Sequence, residues 1–584
     1  MISADGHRRG AWGAFFLFAL LPLLFALYTG NVWEDYYITY RSSQNLATGH
    51  GLVFQQGERV QTFTSPLGVL LPALCSVVTG TTHDDAALWL FRLISASALG
   101  VAGVFLYRML RHHGVPRVPL WIGLLLVALD AKTAAFDTNG MENGFLLAFL
   151  LFSCWALTVP ARSGRPWLWI GLSWAGIMWS RPDGFIYGGA PAAAVLLFGS
   201  GIAAGRAGGR LWLLRQYALA LGLAVAIYLP WFIGSWAYYG TPVSNTIAAK
   251  GVNLHWSFLE KLAGKHEATP VAVEAPAPAP APALSVPAST SAPVSSPTMA
   301  PTGGPEAPAH RSFLQLAHLN RLHFDALGLI YAPIYVQAGG WPEAARCWAW
   351  ALVILGGLPL VLPGMARTTR AAAAAFLIVA AYYCYMPHAS PWYLPTGAWL
   401  GYLSLLLGVI DLYYRTGLTR RLTWCAAAAV GIGAQLFLFA AASAQLRVQQ
   451  HAIELGVRTP IGHWLKENAQ SPSETVFLEP LGYIGYYSQL KMVDFPGLSA
   501  PEVVALRRRL HTDNWAVLIG ALKPTWLVLR PAEVTMLNGD DAALLPAYHA
   551  VKTFDAGAEI AAARIYGKGY LECDQTFIVF RRND

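Results

Sequence analysis

Apolar residues recur along this chain in blocks long enough to read as helices in lipid, separated by loops that hold most of the charge. The blocks lie near 11–29, 86–107, 116–131, 143–159, 166–180, 184–203, 211–236, 344–364, 371–386, 392–412 and 422–443, which predicts eleven spans. Several fall short of the roughly 20 residues a span needs, and aromatic or snorkelling ends make up the difference. A further block, 66–79, is ambiguous, and charge decides it. Arginines gather in five loops: Arg108/Arg111/Arg117, Arg162/Arg165, Arg206/Arg210/Arg215, Arg367/Arg370 and Arg415/Arg420/Arg421. If 66–79 is a helix lying in the outer interface, all five loops share a side with Arg8 and Arg9, as the positive-inside rule requires. The loops 30–85, 132–142, 181–183, 237–343 and 387–391 then face outward, as does the chain beyond about 445. The N-terminus is cytoplasmic, and 11–28 reads as a retained first span because no small-x-small cleavage site follows it.

The pattern changes beyond 445. Apolar runs shrink to strand length at 475–479, 491–495, 525–530 and 576–581, with helix-like stretches at 481–488 and 500–511 between them. That alternation predicts a small α/β domain over 445–584. Gly482-Tyr483-Ile484-Gly485 reads as a tight strand-to-helix turn, since it lacks the third glycine and acidic partner of a dinucleotide fingerprint. Residues 267–310, rich in Pro, Ala and Ser, predict a disordered linker inside an outer loop. The expected fold class is an α-helical polytopic membrane protein. Its transmembrane domain covers 1–443 with a large first outer loop at 30–85, and a C-terminal extracytoplasmic α/β domain follows.

Composition agrees: 55% of 584 residues are hydrophobic and 12% charged, against roughly 25% charged in soluble proteins. The net charge of +8 comes from the basic loops rather than a stripe, so the bilayer is the expected partner and nucleic acid is not. The six cysteines show no metal or disulfide spacing.

The first outer loop is far longer than a link between spans requires, and it is rich in aromatic and ionisable groups, which reads as a site. It runs Glu34-Asp35-Tyr36-Tyr37-Ile38-Thr39-Tyr40-Arg41, then Gly49 to Val53 around His50, Gly57 to Val60, and Thr64 to Leu67. This loop resembles that of bacterial membrane glycosyltransferases of the GT-C superfamily, in the branch containing the mycobacterial terminal arabinofuranosyltransferase. Weaker echoes are Asn139-Gly140-Met141-Glu142, Arg181-Pro182-Asp183, Tyr239 to Thr246 (with Asn245) before Lys250, Glu479 to Gly482, and Val493-Asp494. One departure is that the acidic pair, usually Asp-Asp, is Glu34-Asp35 here, followed by Tyr36 instead of Ala.

The resemblance implies transfer of a sugar from a polyprenyl-phosphate donor to a glycan or glycoprotein acceptor outside a bacterial plasma (inner) membrane. A lipid phosphate leaves far more easily than the alkoxide a glycosidase must expel, so one carboxylate acting as general base suffices. Asp35 is the expected base and Glu34 the second choice; neighbouring side chains diverge, so one of them faces the sugar. Arg41 is a candidate phosphate or Asp partner, or an interfacial anchor. His50 is a ligand candidate or a turn residue, and Thr64 with Ser65 can bind a sugar hydroxyl or cap the next helix. Glu142, Arg181, Asp183 and Asn245 are candidate substrate contacts, although Arg181 and Asp183 can simply pair with each other. Lys250 suits the lipid phosphate or the interface; His388, Trp392 and Tyr393 suit sugar stacking or an aromatic belt. No metal-ligand spacing occurs, so no cofactor is assigned, yet an acidic outer loop can hold a divalent cation (Mg or Mn) through oxygen ligands. Two other classes stand as alternatives: a polytopic secondary transporter, disfavoured by the absence of an internal repeat, and a non-catalytic envelope-assembly protein.

Overall fold

A computed structural model describes residues 4–159, 164–204, 209–251, 322–386, 389–416, 421–541 and 543–583. Residues 1–255 and 323–584 form one compact unit; a second, 256–322, falls almost wholly outside the described residues, as does the linker expected at 267–310.

The first half of the chain forms α1 (Ala4–Thr29), α2 (Glu34–Ala47), α3 (Pro66–Thr79), α4 (Asp84–His112), α5 (Arg117–Ala128), α6 (Ala131–Thr138), α7 (Asn143–Thr158), α8 (Pro166–Ser180), α9 (Gly184–Phe198), α10 (Gly209–Tyr239) and α11 (Asn245–Lys250). Apolar helices at Glu343–Gly357, Arg367–Tyr385, Leu394–Thr416 and Arg421–Val448 follow. The protein is an integral membrane protein, and each expected apolar block contains a helix. Among the described residues, six helical runs are long and apolar enough to cross a membrane alone, or seven if α5 and α6 count as one bent span. Others, such as α7 at 16 residues, are shorter.

Local chemistry explains the departures from the expected segments. The block at 116–131 breaks because Asp130 accepts the Thr133 N–H at 2.7 Å and starts a new helix, bending the pair by 58°. The block at 344–364 leaves α-helix at Gly357, just before Pro359. α3 is capped by Ser65, which accepts the Gly68 N–H at 2.8 Å, and begins with Pro66. Its 14 residues reach about 21 Å, less than the ~30 Å of a hydrocarbon core. Where α1 packs on α4, Gly100 and Gly103 leave room for Phe15 and Phe18.

Beyond Val448 the chain does not leave helical conformation. It continues through a π-helical stretch, Gln449–Arg458, into the helix Thr459–Asn468. A five-stranded sheet follows, built from β1 (Thr475–Leu478), β2 (Lys491–Asp494), β3 (Trp526–Leu529), β4 (Tyr548–Asp555) and β5 (Thr576–Arg582) in the order β2-β1-β3-β5-β4. The strands β2, β1 and β3 are parallel, while β5 and then β4 add in antiparallel fashion. Both faces are covered, so inward residues alternate between two cores. Val476, Leu478 and Val528 pack with Ile461, Leu465 and Ile484; Phe477, Leu527 and Leu529 pack with Trp515, Ile519 and Leu537.

α2 joins the two parts. Its face of Tyr36, Tyr37 and Tyr40 is buried, with Tyr37 set 4.5 Å from the ring of Tyr483 and 4.9 Å from that of Tyr486, both on the helix Gly482–Ser488. Tyr40, Gln44 and Tyr486 all donate to Asp84 at the start of α4, at 2.9, 3.1 and 2.6 Å. Arg41 is only 2% exposed and donates to the carbonyls of Gly485, Gln489 and Leu490 at 2.7, 3.1 and 3.3 Å. Its guanidinium also lies over the Phe54 ring at 4.3 Å. Arg41 therefore braces the C-terminal sheet against α2. Replacing Arg41 by Met is expected to cost about 3 kcal/mol, because buried carbonyls lose their donor. The loss would show as a lower unfolding midpoint of the protein in detergent, and an unchanged midpoint would mean that α2 is held without it.

Candidate active site

Neighbouring residues on a helix point about 100° apart, and at the start of α2 this sends the two carboxylates to different partners. Glu34 turns towards the C-terminal sheet. Its Oε1 accepts the Gly482 N–H at 2.9 Å, and its Oε2 lies 3.6 Å from Arg458. The contact requires glycine, since a methyl group on residue 482 would run into the Glu34 carbonyl oxygen. Behind Glu34 runs a charge network, buried at Arg458, Glu454 and Asp574 and open to solvent at Glu479. Arg458 pairs with Glu454 at 2.9 Å and Asp574 at 2.6 Å; Asp574 pairs with Arg530 at 2.5 Å; Arg530 pairs with Glu533 at 2.6 Å and Glu479 at 2.9 Å.

Asp35 is placed differently. Among the described residues, no hydrogen bond or ion pair reaches its carboxylate. Burial raises its pKa; the positive charges of Lys250 and Arg181 oppose that rise, and the negative charge of Glu479 adds to it. The neighbours come from several loops. Arg181, 4% exposed just past α8, donates to Asp183 at 3.0 Å and to Glu142 at 3.3 Å, and lies 4.1 Å from the Tyr393 ring centre. Tyr187 holds the other Asp183 oxygen at 3.1 Å. Glu142 precedes α7 and abuts Gly68 at the start of α3. Lys250, exposed at the end of α11, sits 5.7 Å from the ring of Trp392, which in turn lies 6.0 Å from Trp33.

The structure thus gathers Glu34, Asp35, Glu142, Arg181, Asp183, Lys250, Trp392 and Tyr393 in one neighbourhood. Three expected contacts, Arg41, His50 and Asn245, are engaged elsewhere. Arg41 is occupied by backbone carbonyls, because burial among them leaves it no route to a phosphate. His50 sits in the exposed turn past the far end of α2, with its Nδ1 2.9 Å from Thr48 Oγ1. It is therefore about 20 Å along the helix from Asp35. Thr64 makes no hydrogen bond among the described residues, while its neighbour Ser65 caps α3. Asn245 donates to the carbonyls of Gly497 and Leu498 at 2.7 and 2.9 Å, tying α11 to the C-terminal sheet. His388 lies outside the described residues. Among the described residues no group of three His, Cys, Asp or Glu is arranged to hold a metal ion, so no residue is assigned to Mg or Mn.

Several groups at the site escaped the sequence reading. Tyr335, held at φ 55°, stacks between Trp33 at 5.9 Å and Tyr570 at 3.7 Å. Arg458, Arg530 and Asp574 are scattered through the last quarter of the chain, and no spacing links them to Glu34.

Residues 444–576 match a family model described as a domain of unknown function (DUF8728). The chain is 28% identical over 287 residues to the terminal beta-(1->2)-arabinofuranosyltransferase of Corynebacterium glutamicum, covering 43% of this chain and 39% of that one. It is 28% identical over 234 residues to the protein of the same name from Mycobacterium tuberculosis, covering 37% and 34%. The chain thus spans under two-fifths of the length of these relatives. Among solved structures, the oligosaccharyltransferase of Archaeoglobus fulgidus aligns with a TM-score of 0.52 at 13% identity over 92% of this chain and 71% of its own. ArnT of Cupriavidus metallidurans, bound to undecaprenyl phosphate, aligns with a TM-score of 0.50 at 12% identity over 97% of both chains. The chain shares its fold with these two solved proteins, the fold expected from the resemblance to the GT-C superfamily. Within it, the sequence resembles the terminal arabinofuranosyltransferase branch.

Burial pushes the Glu34 carboxyl up to about 8; Arg458 opposes the shift, Glu479 and Glu454 reinforce it, and the Gly482 N–H opposes it. Between an ordinary carboxylate pKa near 4.5 and 8, the folded protein keeps a proton that the unfolded chain has lost. Glu34 therefore makes stability fall as pH rises through that window. Glu34→Gln is expected to flatten this fall in melting temperatures recorded from pH 5 to 8, and an unaltered slope would place the proton elsewhere.

Proposed function

We propose that this protein is a membrane glycosyltransferase that moves a sugar from a polyprenyl-phosphate carrier to a hydroxyl of an envelope glycan or glycoprotein. In this reading it sits in the bacterial plasma membrane, with its N-terminus in the cytoplasm and its site and C-terminal domain outside. The observation that carries the reading is the Asp35 carboxylate, which is unbonded among the described residues yet acted on by the cations Lys250 and Arg181. A carboxylate left without partners beside cations suits a reaction in which a proton is taken and a phosphate is released.

The step balances on these residues. Asp35 takes the proton of the acceptor hydroxyl as its oxygen bonds to the anomeric carbon. The bond from that carbon to the phosphate oxygen breaks, and its electron pair leaves on the lipid phosphate. Lys250, steadied against Trp392, neutralises that phosphate. A raised Asp35 pKa narrows the gap to a sugar hydroxyl, so the ionised carboxylate is a stronger base than an ordinary aspartate. Arg181 is held by Glu142 and Asp183, so its charge stays fixed near the site instead of following the leaving group. The sequence likeness to terminal arabinofuranosyltransferases makes an arabinofuranosyl unit the first sugar to test.

Asp35→Asn is expected to lower kcat by roughly 10²–10⁴-fold with normal membrane insertion, measured as release of polyprenyl phosphate and formation of glycan product. Full activity in this variant would turn the reading towards transport or envelope assembly. Lys250→Ala is expected to raise the donor KM roughly tenfold or more, as the loss of one charge-assisted phosphate contact implies. An unchanged donor KM would remove Lys250 from the phosphate.

A further inference from the structure

One charged group near Asp35 has no part in the transfer step. Glu479 directly follows β1, at the carboxyl end of the parallel strands, where open α/β sheets bind their ligands. The chain from Glu479 to Gly482 lies on the start of α2, because Gly482 donates to Glu34 at 2.9 Å. The side chain is fixed from behind. Its Oε2 accepts from Arg530 at 2.9 Å, and Arg530 is in turn held by Asp574 and Glu533 and lies over the Phe577 ring. Its Oε1 takes no hydrogen bond among the described residues, and the side chain is 46% exposed. A glutamate held on one oxygen and open on the other is prepared to accept a hydrogen bond from a ligand.

Charge says which ligand. Around Glu479, and leaving aside Glu34, which keeps its proton at neutral pH, four carboxylates (Glu454, Glu479, Glu533 and Asp574) face two guanidiniums, Arg458 and Arg530. This excess of negative charge repels a phosphate, which Lys250 attracts. A neutral, hydroxyl-rich molecule meets no such penalty. Resting on the glycosyltransferase reading, we propose that Glu479 is an acceptor-binding residue. Its free Oε1 takes a hydrogen bond from one hydroxyl of a neutral glycan while another hydroxyl of the same sugar meets Asp35. The C-terminal domain then supplies one wall of the site, and the acceptor is recognised by two carboxylates from opposite ends of the chain.

The test measures binding, so it does not depend on turnover. The full-length protein carrying Asp35→Asn is compared with the same protein carrying Glu479→Gln as well. The probes are an arabinofuranosyl oligosaccharide, followed by saturation-transfer NMR, and undecaprenyl phosphate, followed by tryptophan fluorescence. Gln keeps an oxygen for Arg530, so the fold is preserved, and unchanged undecaprenyl phosphate binding serves as its control. The expected result is roughly tenfold weaker oligosaccharide binding in the double variant, the factor for losing one charge-assisted hydrogen bond. Equal oligosaccharide binding in both proteins, joint loss of both probes, or no oligosaccharide binding to either protein would overturn the proposal. The glycosyltransferase reading is judged separately, by whether the unmutated protein transfers sugar between the two substrates it binds.

Discussion

The bond from the Gly482 N–H to Glu34 is the contact on which the site depends. It fixes the first turn of α2 against the C-terminal sheet, and the helical step from residue 34 to 35 then sets where the neighbouring carboxylate points. The longer side chain is consumed in docking and the shorter one is left free. A pair of identical residues would not divide these tasks so cleanly, because the extra methylene of Glu34 is what lets it reach both Gly482 and Arg458. The rest of α2 repeats the arrangement on a larger scale. Tyr40 and Arg41 bind groups from distant parts of the chain, so the helix is positioned by both halves at once.

Burial of so many charges has a cost that their pairing only partly offsets. Arg458 is surrounded by Glu454, Asp574 and Glu34, and Arg530 by Asp574, Glu533 and Glu479. Removing either arginine would leave several carboxylates facing one another at low dielectric. Such a network is a poor source of stability but a strict source of geometry, since charged groups in this crowding have few satisfactory arrangements.

Much of the fold was legible in the sequence because it is written in apolar runs. Helices occur in all eleven apolar blocks, and four of the five strands lie within a residue or so of the expected segments. The fifth, β4, escaped because it is an antiparallel edge strand whose residues from His549 to Asp555 are mostly exposed, leaving no apolar run to see. The bend at Asp130 escaped for a related reason: hydropathy averages over a single capping residue. At the site, the groups that came together carry charge or aromatic rings beside spans, where polar residues are scarce enough to stand out. Arg41 misled because a buried arginine and a ligand-binding arginine look alike until its acceptors are known. Those acceptors lie more than 440 positions away.

The unbroken passage from Arg421 through the π-helical stretch to Asn468 makes this part of the molecule a crankshaft. A π-helical stretch accommodates an extra residue without ending the helix, so it sets the rotational phase between the α-helix before it and the α-helix after it. Adding or deleting one residue anywhere in that run would turn everything beyond it by about 100° around the axis. The sheet would then present a different edge to α2, and Glu479 would be carried away from Asp35. Between residues 421 and 468 the residue count of the chain is itself part of the site.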